Sequence, residues 1–456
     1  MPDPADAAVL DPQVNGCVHP ERPRPDVRQI EGSAAVAAVV ARCRPEVIGA
    51  YPISPQTHIV EGLSKLVDSG ELTPCEYLNV ESEFAAMSVC IGASAAGART
   101  YTATASQGLL YMVEAVYNAS GLGLPIVMTV ANRAIGAPIN IWNDHSDAMS
   151  QRDSGWLQLY ARSNQEAVDL HVQGYRIAEE LSLPVMVCMD GFVLTHAVER
   201  VDLPRQDDVD AFLPRFSPRQ VLDPADPVSI GAMVGPEAFT EVRYLAHHKQ
   251  LQALDLIEEV AADFAAHFGR DSGGLLHPYR VAAGGEHDDA PAETVVVALG
   301  SVLGTIEDVV DELRADGVAI GALGLGAFRP FPAAALAEAL RGARRVVVVE
   351  KAFSVGVGGI VSAELRVALG GAGAPAPRVQ TVVAGLGGRP ITKASLRAVF
   401  TDAVADALDD LTFLDLDHDL VDGELRRQAQ TRRSGPEAAN LLRAVGERGQ
   451  QPDENA

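Results

Sequence analysis

Several absences in this 456-residue sequence are informative. Its five cysteines, Cys17, Cys43, Cys75, Cys90 and Cys188, are scattered and never form a C-x-x-C pair. That pattern argues against a disulfide framework, a zinc site or an iron-sulfur cluster bound by this chain alone, and it points to a reducing, cytoplasmic setting. Basic residues are few: Lys plus Arg number 36 against 61 Asp plus Glu, a formal net charge of -25. So large an acidic excess argues against nucleic acid and anionic membranes as partners. No apolar run reaches the roughly 18 residues of a membrane span, and no charged segment followed by an apolar one opens the chain. Neither a span nor export is expected. Aromatic residues make up only 5% of the chain, yet hydrophobic residues make up 47%, enough for two or three domain cores built mainly from aliphatic side chains.

The hydrophobic pattern alternates between short buried strands and amphipathic helices. Residues 1–25, rich in Pro and Asp and without periodicity, read as an extended arm. Residues 26–235 carry strands such as "EVIGAYPI", "CEYLNV", "TYTATA", "LPIVMTVAN" and "LPVMVCMD" with helices between them. Such a rhythm predicts right-handed βαβ crossovers and a parallel sheet. In "SPQTHIVEGLSKLVDSG", Ser54 is expected as N-cap and Pro55 as the first helical residue. Residues 236–290 hold a long amphipathic connecting helix and a linker, 291–400 form a second α/β unit beginning at "TVVVALG", and 401–456 read as a polar C-terminal tail.

Four strand ends in the first unit deliver polar groups to one sheet edge: Ser54; Glu81 and Glu83; Ser106 and Gln107; and Asn132 with Arg133. Ligands of open parallel sheets bind beyond the carboxyl ends of the strands, so these residues should converge. Each also has a purely structural reading. Ser54 can serve only as a cap, either glutamate can serve only to complement the helix dipole, and Arg133 can be an ordinary ion-pair partner. The irregular segment "AIGAPINIWNDHSDAMSQRDSGW" after Arg133 is long for a compact domain, and such loops tend to be functional.

Two glycine clusters offer weaker signals. "GSVLGT", Gly300 to Thr305, follows a strand and opens a helix, so its amides could hold an anion, but it lacks the Lys of a P-loop. "SVGVGG", Ser354 to Gly359, is an incomplete dinucleotide fingerprint. Tight strand-to-helix turns explain both. His58, His145 and His196 have no ligand spacing with another His, Cys or Glu on one helix face, so metal binding is not expected of them. A "GDG" followed by Asn, the mark of a diphosphate-magnesium site, is absent.

Longer stretches carry a resemblance. "AYPISPQTHIVEGL", "VESEFAAMSVCIGASAAGARTYTATASQGL", "LPIVMTVANRAIGAPINIWNDHSDAMSQRDSGWLQLYARSNQEAVDL" and "GAFRPFP" together resemble the α subunits of the 2-oxoacid:ferredoxin oxidoreductases, the pyruvate-oxidising members in particular. The likeness runs from about Gln29 to about residue 400, in order.

The resemblance implies a thiamine-diphosphate pyrimidine-binding domain followed by a transketolase C-terminal-like α/β domain. Thiamine diphosphate would be shared with a partner subunit that supplies its diphosphate and Mg²⁺ site, which accounts for the missing "GDG". The family's catalytic glutamate matches Glu83, the second acid of "ESEF". It hydrogen-bonds the aminopyrimidine ring and must hold a proton at least transiently, which burial favours and a helix N-terminus opposes. Arg133 matches the arginine that orients the substrate carboxylate, and Ser54 matches a position, usually Thr, beside the substrate. All three would contribute to cofactor and substrate binding.

The implied activity is CoA-dependent oxidative decarboxylation of pyruvate or a related 2-oxoacid, with electrons passed through [4Fe-4S] clusters on partner subunits to ferredoxin. The implied assembly contains a β (diphosphate-binding) subunit with ferredoxin-like γ and δ subunits, or a fused equivalent, in a dimer of hetero-oligomers. Two alternatives stay open: an enzyme for branched-chain or aryl 2-oxoacids, and a non-catalytic scaffold subunit.

Overall fold

The computed structural model describes residues 26–282, 290–371, 376–430 and 437–448. The expected N-terminal arm lies outside the described residues. In the first unit the strands are β1 (Asp26–Glu31), β2 (Val47–Ala50), β3 (Glu76–Asn79), β4 (Thr100–Thr104), β5 (Val127–Asn132), β6 (Leu157–Tyr160), β7 (Val185–Asp190) and β8 (Val198–Leu203). Its helices are α1 (Gly32–Arg42), α2 (Thr57–Asp68), α3 (Glu83–Ala95), α4 (Ser106–Tyr111), α5 (Val113–Gly121), α6 (Ser146–Ser150), α7 (Asn164–Leu181) and α8 (Gln206–Phe212). Helix α9 (Phe239–Phe268) connects to the second unit. That unit contains β9 (Leu276–Tyr279), β10 (Thr294–Ala298), α10 (Val302–Ala315), β11 (Ile320–Leu325), β12 (Ala327–Arg329), α11 (Ala333–Ala339), β13 (Arg345–Glu350), α12 (Val361–Gly370), β14 (Arg378–Val383), α13 (Lys393–Val404) and β15 (Leu411–Phe413). Helices α14 (His418–Gln430) and α15 (Glu437–Arg448) follow.

The first sheet runs β12-β6-β7-β5-β4-β2-β3, and the six strands of the first unit within it are parallel. β5 and β7 are buried along their whole length, which explains why they read as unbroken apolar runs. Chain order reverses beside β2, whose neighbours are β3 and β4, so the crevice for a ligand lies beyond the ends of these strands. The small side chains of α3 let it press onto the sheet: a Cβ at Gly49 of β2 would lie 2.5 Å from the Ala86 carbonyl oxygen. Any larger residue there would push the helix, and Glu83 with it, away from the edge.

The second sheet runs β15-β14-β13-β10-β11-β9, parallel except for β9. It reaches past residue 400, because β15 pairs with β14 and Leu408 and Leu414 join its core. The two units are not separate beads. β12, from the second unit, pairs antiparallel with β6 of the first. One apolar core contains Met128 and Met186 together with Val295, Val297, Phe328 and Val348. Helix α9 lays Ala253, Ile257, Val260 and Phe264, spaced three to four residues apart, onto the core on the opposite face of the first sheet. Each large side chain so buried stabilises by about 1.5–3 kcal/mol.

Candidate active site

Helix α3 begins at Glu83. Ser82, extended at φ -163° and ψ 162°, is its N-cap, and the Ser82 hydroxyl accepts from the Ala85 amide at 3.1 Å. Glu81 therefore precedes the helix and is exposed, whereas Glu83 in the first turn is buried. The Glu83 carboxylate rests over α4: a Cβ at Gly108 would come within 2.7 Å of Glu83 Oε1 and 2.6 Å of the Thr104 hydroxyl. Gly108 is thus the gap that admits the carboxylate. Thr104 Oγ1 is buried and has no hydrogen-bond partner among the described residues. Thr100 and Thr102 of the same strand share this state, and what sets Thr104 apart is its place beside the Glu83 carboxylate at the strand end, where its hydroxyl is free to bond a polar group.

Ser54 is not the cap of α2, and Pro55 is not its first helical residue. Ser54 to Gln56 form a turn, closed by the Gln56 amide donating to the Ile53 carbonyl at 2.9 Å, and the helix starts at Thr57. The reason is Gln56. Its buried side chain turns inward to donate to the carbonyls of Tyr51 at 2.7 Å and Ala103 at 3.2 Å, tying the end of β2 to the end of β4. Ser54 is left exposed at the crevice, with its carbonyl accepting from Arg133 Nη1 at 2.9 Å.

Arg133 follows β5 and is buried. Its Nε donates to the Asn140 carbonyl at 3.2 Å, so with Nη1 held by Ser54 only Nη2 lacks a partner among the described residues. No carboxylate pairs with the guanidinium among the described residues. Burial nudges its proton affinity down, while Asp147 nearby opposes that. An arginine remains charged throughout. A buried, oriented cation with one free donor arm is suited to an anionic group of a ligand.

Sequence reading missed the residue that organises this edge. Asp147, fully buried in α6, accepts four hydrogen bonds: from the amides of Ser106 and Arg133 at 2.9 Å each, from Asn132 Nδ2 at 2.8 Å and from the Ala148 amide at 2.7 Å. It locks the ends of β4 and β5 into one register. Burial raises its proton affinity to a pKa of about 6, against the lowering effect of those hydrogen bonds. Ser106 is held at φ 49°, a strained conformation for a residue with a Cβ. Its hydroxyl turns away from the crevice toward Gln107 Oε1 and the Ala134 carbonyl. The strand-end residues thus divide: Ser54 and Arg133 are joined by a hydrogen bond and Glu83 lies beside Gly108, while Ser106, Gln107 and Asn132 spend side-chain hydrogen bonds on neighbouring protein groups.

The glycine clusters are accounted for differently. Both helix N-termini hold anions, and both anions belong to the protein. Asp190 at the end of β7 accepts from the Ser301 amide at 2.9 Å and from its hydroxyl, from Lys351 Nζ at 2.7 Å and from His145 Nε2 at 2.6 Å. Burial alone would push Asp190 up, but Lys351 and His145 outweigh it and hold the carboxyl well below the usual range. Glu350 at the end of β13 accepts from the amides of Ile360 and Val361 at 2.8 Å each. Burial raises its proton affinity, and those amides partly offset the rise. An acid closing an all-apolar strand, as in "VMVCMD" and "VVVVE", was the available signal for both.

Comparison with known proteins adds the family. The family described as "Pyruvate flavodoxin/ferredoxin oxidoreductase, thiamine diP-bdg" matches residues 38–262, and "Pyruvate:ferredoxin oxidoreductase core domain II" matches 292–396. The pyruvate synthase subunit PorA of Methanosarcina barkeri is 49% identical over 399 residues, covering 86% of this chain and 97% of that protein. The same subunit of Methanothermobacter thermautotrophicus is 45% identical over 82% of this chain and 94% of that one. The ketoisovalerate oxidoreductase subunit VorA of Pyrococcus abyssi is 38% identical, over 83% and 94%. In fold, the chain is similar to the 2-oxoglutarate:ferredoxin oxidoreductase of Magnetococcus marinus at a TM-score of 0.62 and 19% identity, covering 83% of this chain and 66% of that longer one. With a thiamine-diphosphate-binding domain, a core domain II and relatives aligned nearly end to end, this chain belongs to the 2-oxoacid:ferredoxin oxidoreductases, as a homologue of the pyruvate synthase subunit PorA.

Proposed function

We propose that this chain is the α-type subunit of a multi-subunit enzyme that oxidatively decarboxylates pyruvate to an acyl-CoA and passes the electrons to ferredoxin. The observation that carries this reading is the seat of Glu83: a buried carboxyl over Gly108, beside an unpartnered Thr104 hydroxyl, at the crevice where the strand order reverses. These residues fit the aminopyrimidine end of thiamine diphosphate, which offers a ring nitrogen and an amino group for a carboxyl and a hydroxyl. When bound, that cofactor supplies a nucleophilic carbon for the 2-oxo group and a sink for the electron pair released with carbon dioxide. Glu83 would hold a proton at the pyrimidine ring and donate it as a hydrogen bond, general acid-base work worth about 10²–10⁴-fold. Arg133 would bind the substrate carboxylate through Nη2 while Ser54 and Asn140 keep the guanidinium from rotating, so the 2-oxo carbon arrives oriented. The Ser54 hydroxyl would border the substrate side chain. The Mg²⁺, the [4Fe-4S] clusters and the diphosphate site belong to partner subunits in this reading, with coenzyme A as co-substrate.

The test is the complex purified with its partner subunits. Glu83→Gln keeps shape and burial, and it should lower CoA-dependent pyruvate oxidation by about 10²–10⁴-fold with the complex intact. Undiminished turnover would sink the assignment. The 38% identity to a ketoisovalerate subunit supports a second reading, a branched-chain substrate. Initial rates with pyruvate and 2-oxoisovalerate separate the two.

A further inference from the structure

Three side chains that the sequence keeps far apart meet on the surface near the start of α2. Glu31 ends β1, His58 lies in the first turn of α2, and His196 lies in the loop between β7 and β8. His58 Nδ1 is 2.7 Å from Glu31 Oε1, and the two imidazole rings are 4.9 Å apart, tilted by 34°. One ligand atom from each of the three residues lies within 4.8 Å of the others. The expectation that these histidines lack ligand partners rested on spacing along one helix, and the fold supplies the partners from other elements.

We propose that Glu31, His58 and His196 form a binding site for a first-row divalent cation of the zinc type, made of residues other than Glu83, Arg133 and Ser54. Two imidazoles and one carboxylate are a borderline donor set suited to Zn²⁺ or Co²⁺, whereas Mg²⁺ and Ca²⁺ favour oxygen ligands throughout. A tetrahedral ion with bonds of about 2.0–2.2 Å sets its ligand atoms roughly 3.3 Å apart. The present spacing closes to that by small rotations of His58, whose side chain is half exposed.

His196 has a hydrogen-bond partner that can hold its ring for this role. Its Nδ1 lies 2.8 Å from Thr195 Oγ1, and that hydroxyl accepts from the Phe192 amide at 2.8 Å. In the tautomer protonated at Nδ1, the hydroxyl's second lone pair accepts Nδ1–H and the Nε2 lone pair is left for a cation, the tautomer that a bound ion would select. A hydrogen bond on the far ring nitrogen is what fixes the tautomer and orientation of metal-binding histidines. Thr195 is rigid in turn, its carbonyl accepting from the Ser33 amide at 2.9 Å and hydroxyl at 2.8 Å. The Phe192 ring flanks His196 with centroids 4.7 Å apart. Burial, and secondarily the neighbouring His58, lowers the proton affinity of His196, which favours the neutral ring a cation requires. A bound ion would staple the end of β1 to the start of α2 and to the loop beyond Asp190.

The experiment titrates untagged, metal-stripped full-length protein with Co²⁺ alone, read by visible absorption, and with Zn²⁺ alone, read by calorimetry. One equivalent of each should bind saturably. His58→Ala and His196→Ala should each weaken binding at least about tenfold, and the double variant should abolish it. Glu31→Gln preserves size and hydrogen-bonding ends, so it carries the test if a histidine variant folds poorly: it should weaken binding and bleach the Co²⁺ spectrum. Binding that is not saturable, or a titration unchanged in Glu31→Gln or in the double variant, overturns the site.

Discussion

The two α/β units present the same kind of edge, the carboxyl ends of parallel strands, and treat it in opposite ways. In the first, Glu83, the Thr104 hydroxyl and one arm of Arg133 are left without protein partners among the described residues. In the second, the amides at the starts of α10 and α12 are taken by Asp190 and Glu350. The topology offers an anion or ligand position in both places. What decides function is whether the protein's own side chains have filled it. A filled edge is a structural joint, and an open one has donors and acceptors left for a ligand.

The comparison breaks most severely if the filled edge is emptied. Asp190→Ala leaves Lys351 buried without its counter-ion and His145 Nε2 without its hydrogen-bond partner, and should cost about 3–5 kcal/mol in urea denaturation. A loss within error would mean that the joint does not depend on this charge. The next effect sets the two buried carboxylates apart by pH. Asp147, raised from 3.8 to about 6, stabilises the fold below its unfolded pKa and loses that contribution as pH rises through about 6. Asp190 is depressed, so its contribution is present above 3.8 and is lost only as pH falls further. Between about pH 4 and 6 the Asp147 term should decline by up to about 3 kcal/mol, and Asp147→Asn should remove that slope from the urea midpoints. At the open edge, Arg133→Lys removes the planar fork and should raise KM for the 2-oxoacid by the equivalent of about 1.5–3 kcal/mol, while the lost bond to Ser54 or Asn140 lowers stability by only about 0.5–1.5 kcal/mol. Gly108→Ala closes the gap beneath Glu83 with a methyl and should cost about 1–3 kcal/mol. If the open edge is functional, that loss should appear mainly in turnover.

Much of the arrangement could be read from the chain alone. Buried parallel strands announce themselves as continuous apolar runs, and each polar residue that interrupts such a run marks a strand end. That pattern marks Ser54, Glu81, Glu83, Ser106, Gln107, Asn132 and Arg133 alike, and the resemblance to the family picks Glu83, Ser54 and Arg133 from among them. Asp147 could not be found in this way, because a lone acid in an irregular segment gains meaning only when the amides of Ser106 and Arg133 arrive from two other strands. The cap of α2 was misjudged for a related reason: Ser-Pro is a good local start, but the inward bonds of Gln56 to two strand ends outweigh a capping interaction worth about 1 kcal/mol. Local chemistry is legible in sequence, whereas partnerships between distant segments are not. The grouping of Glu31, His58 and His196 belongs to the second kind.

The pairing of β12 with β6 has a consequence for how the chain is made. During synthesis β6 emerges long before β12, so the rim of the first sheet stays unpaired for on the order of ten seconds at about 5–20 residues per second. An unpaired strand edge over an unfinished apolar core is where nascent chains stick to one another. Chaperone demand during expression should therefore peak in that interval and fall once the ribosome has passed the codons for Ala327–Arg329.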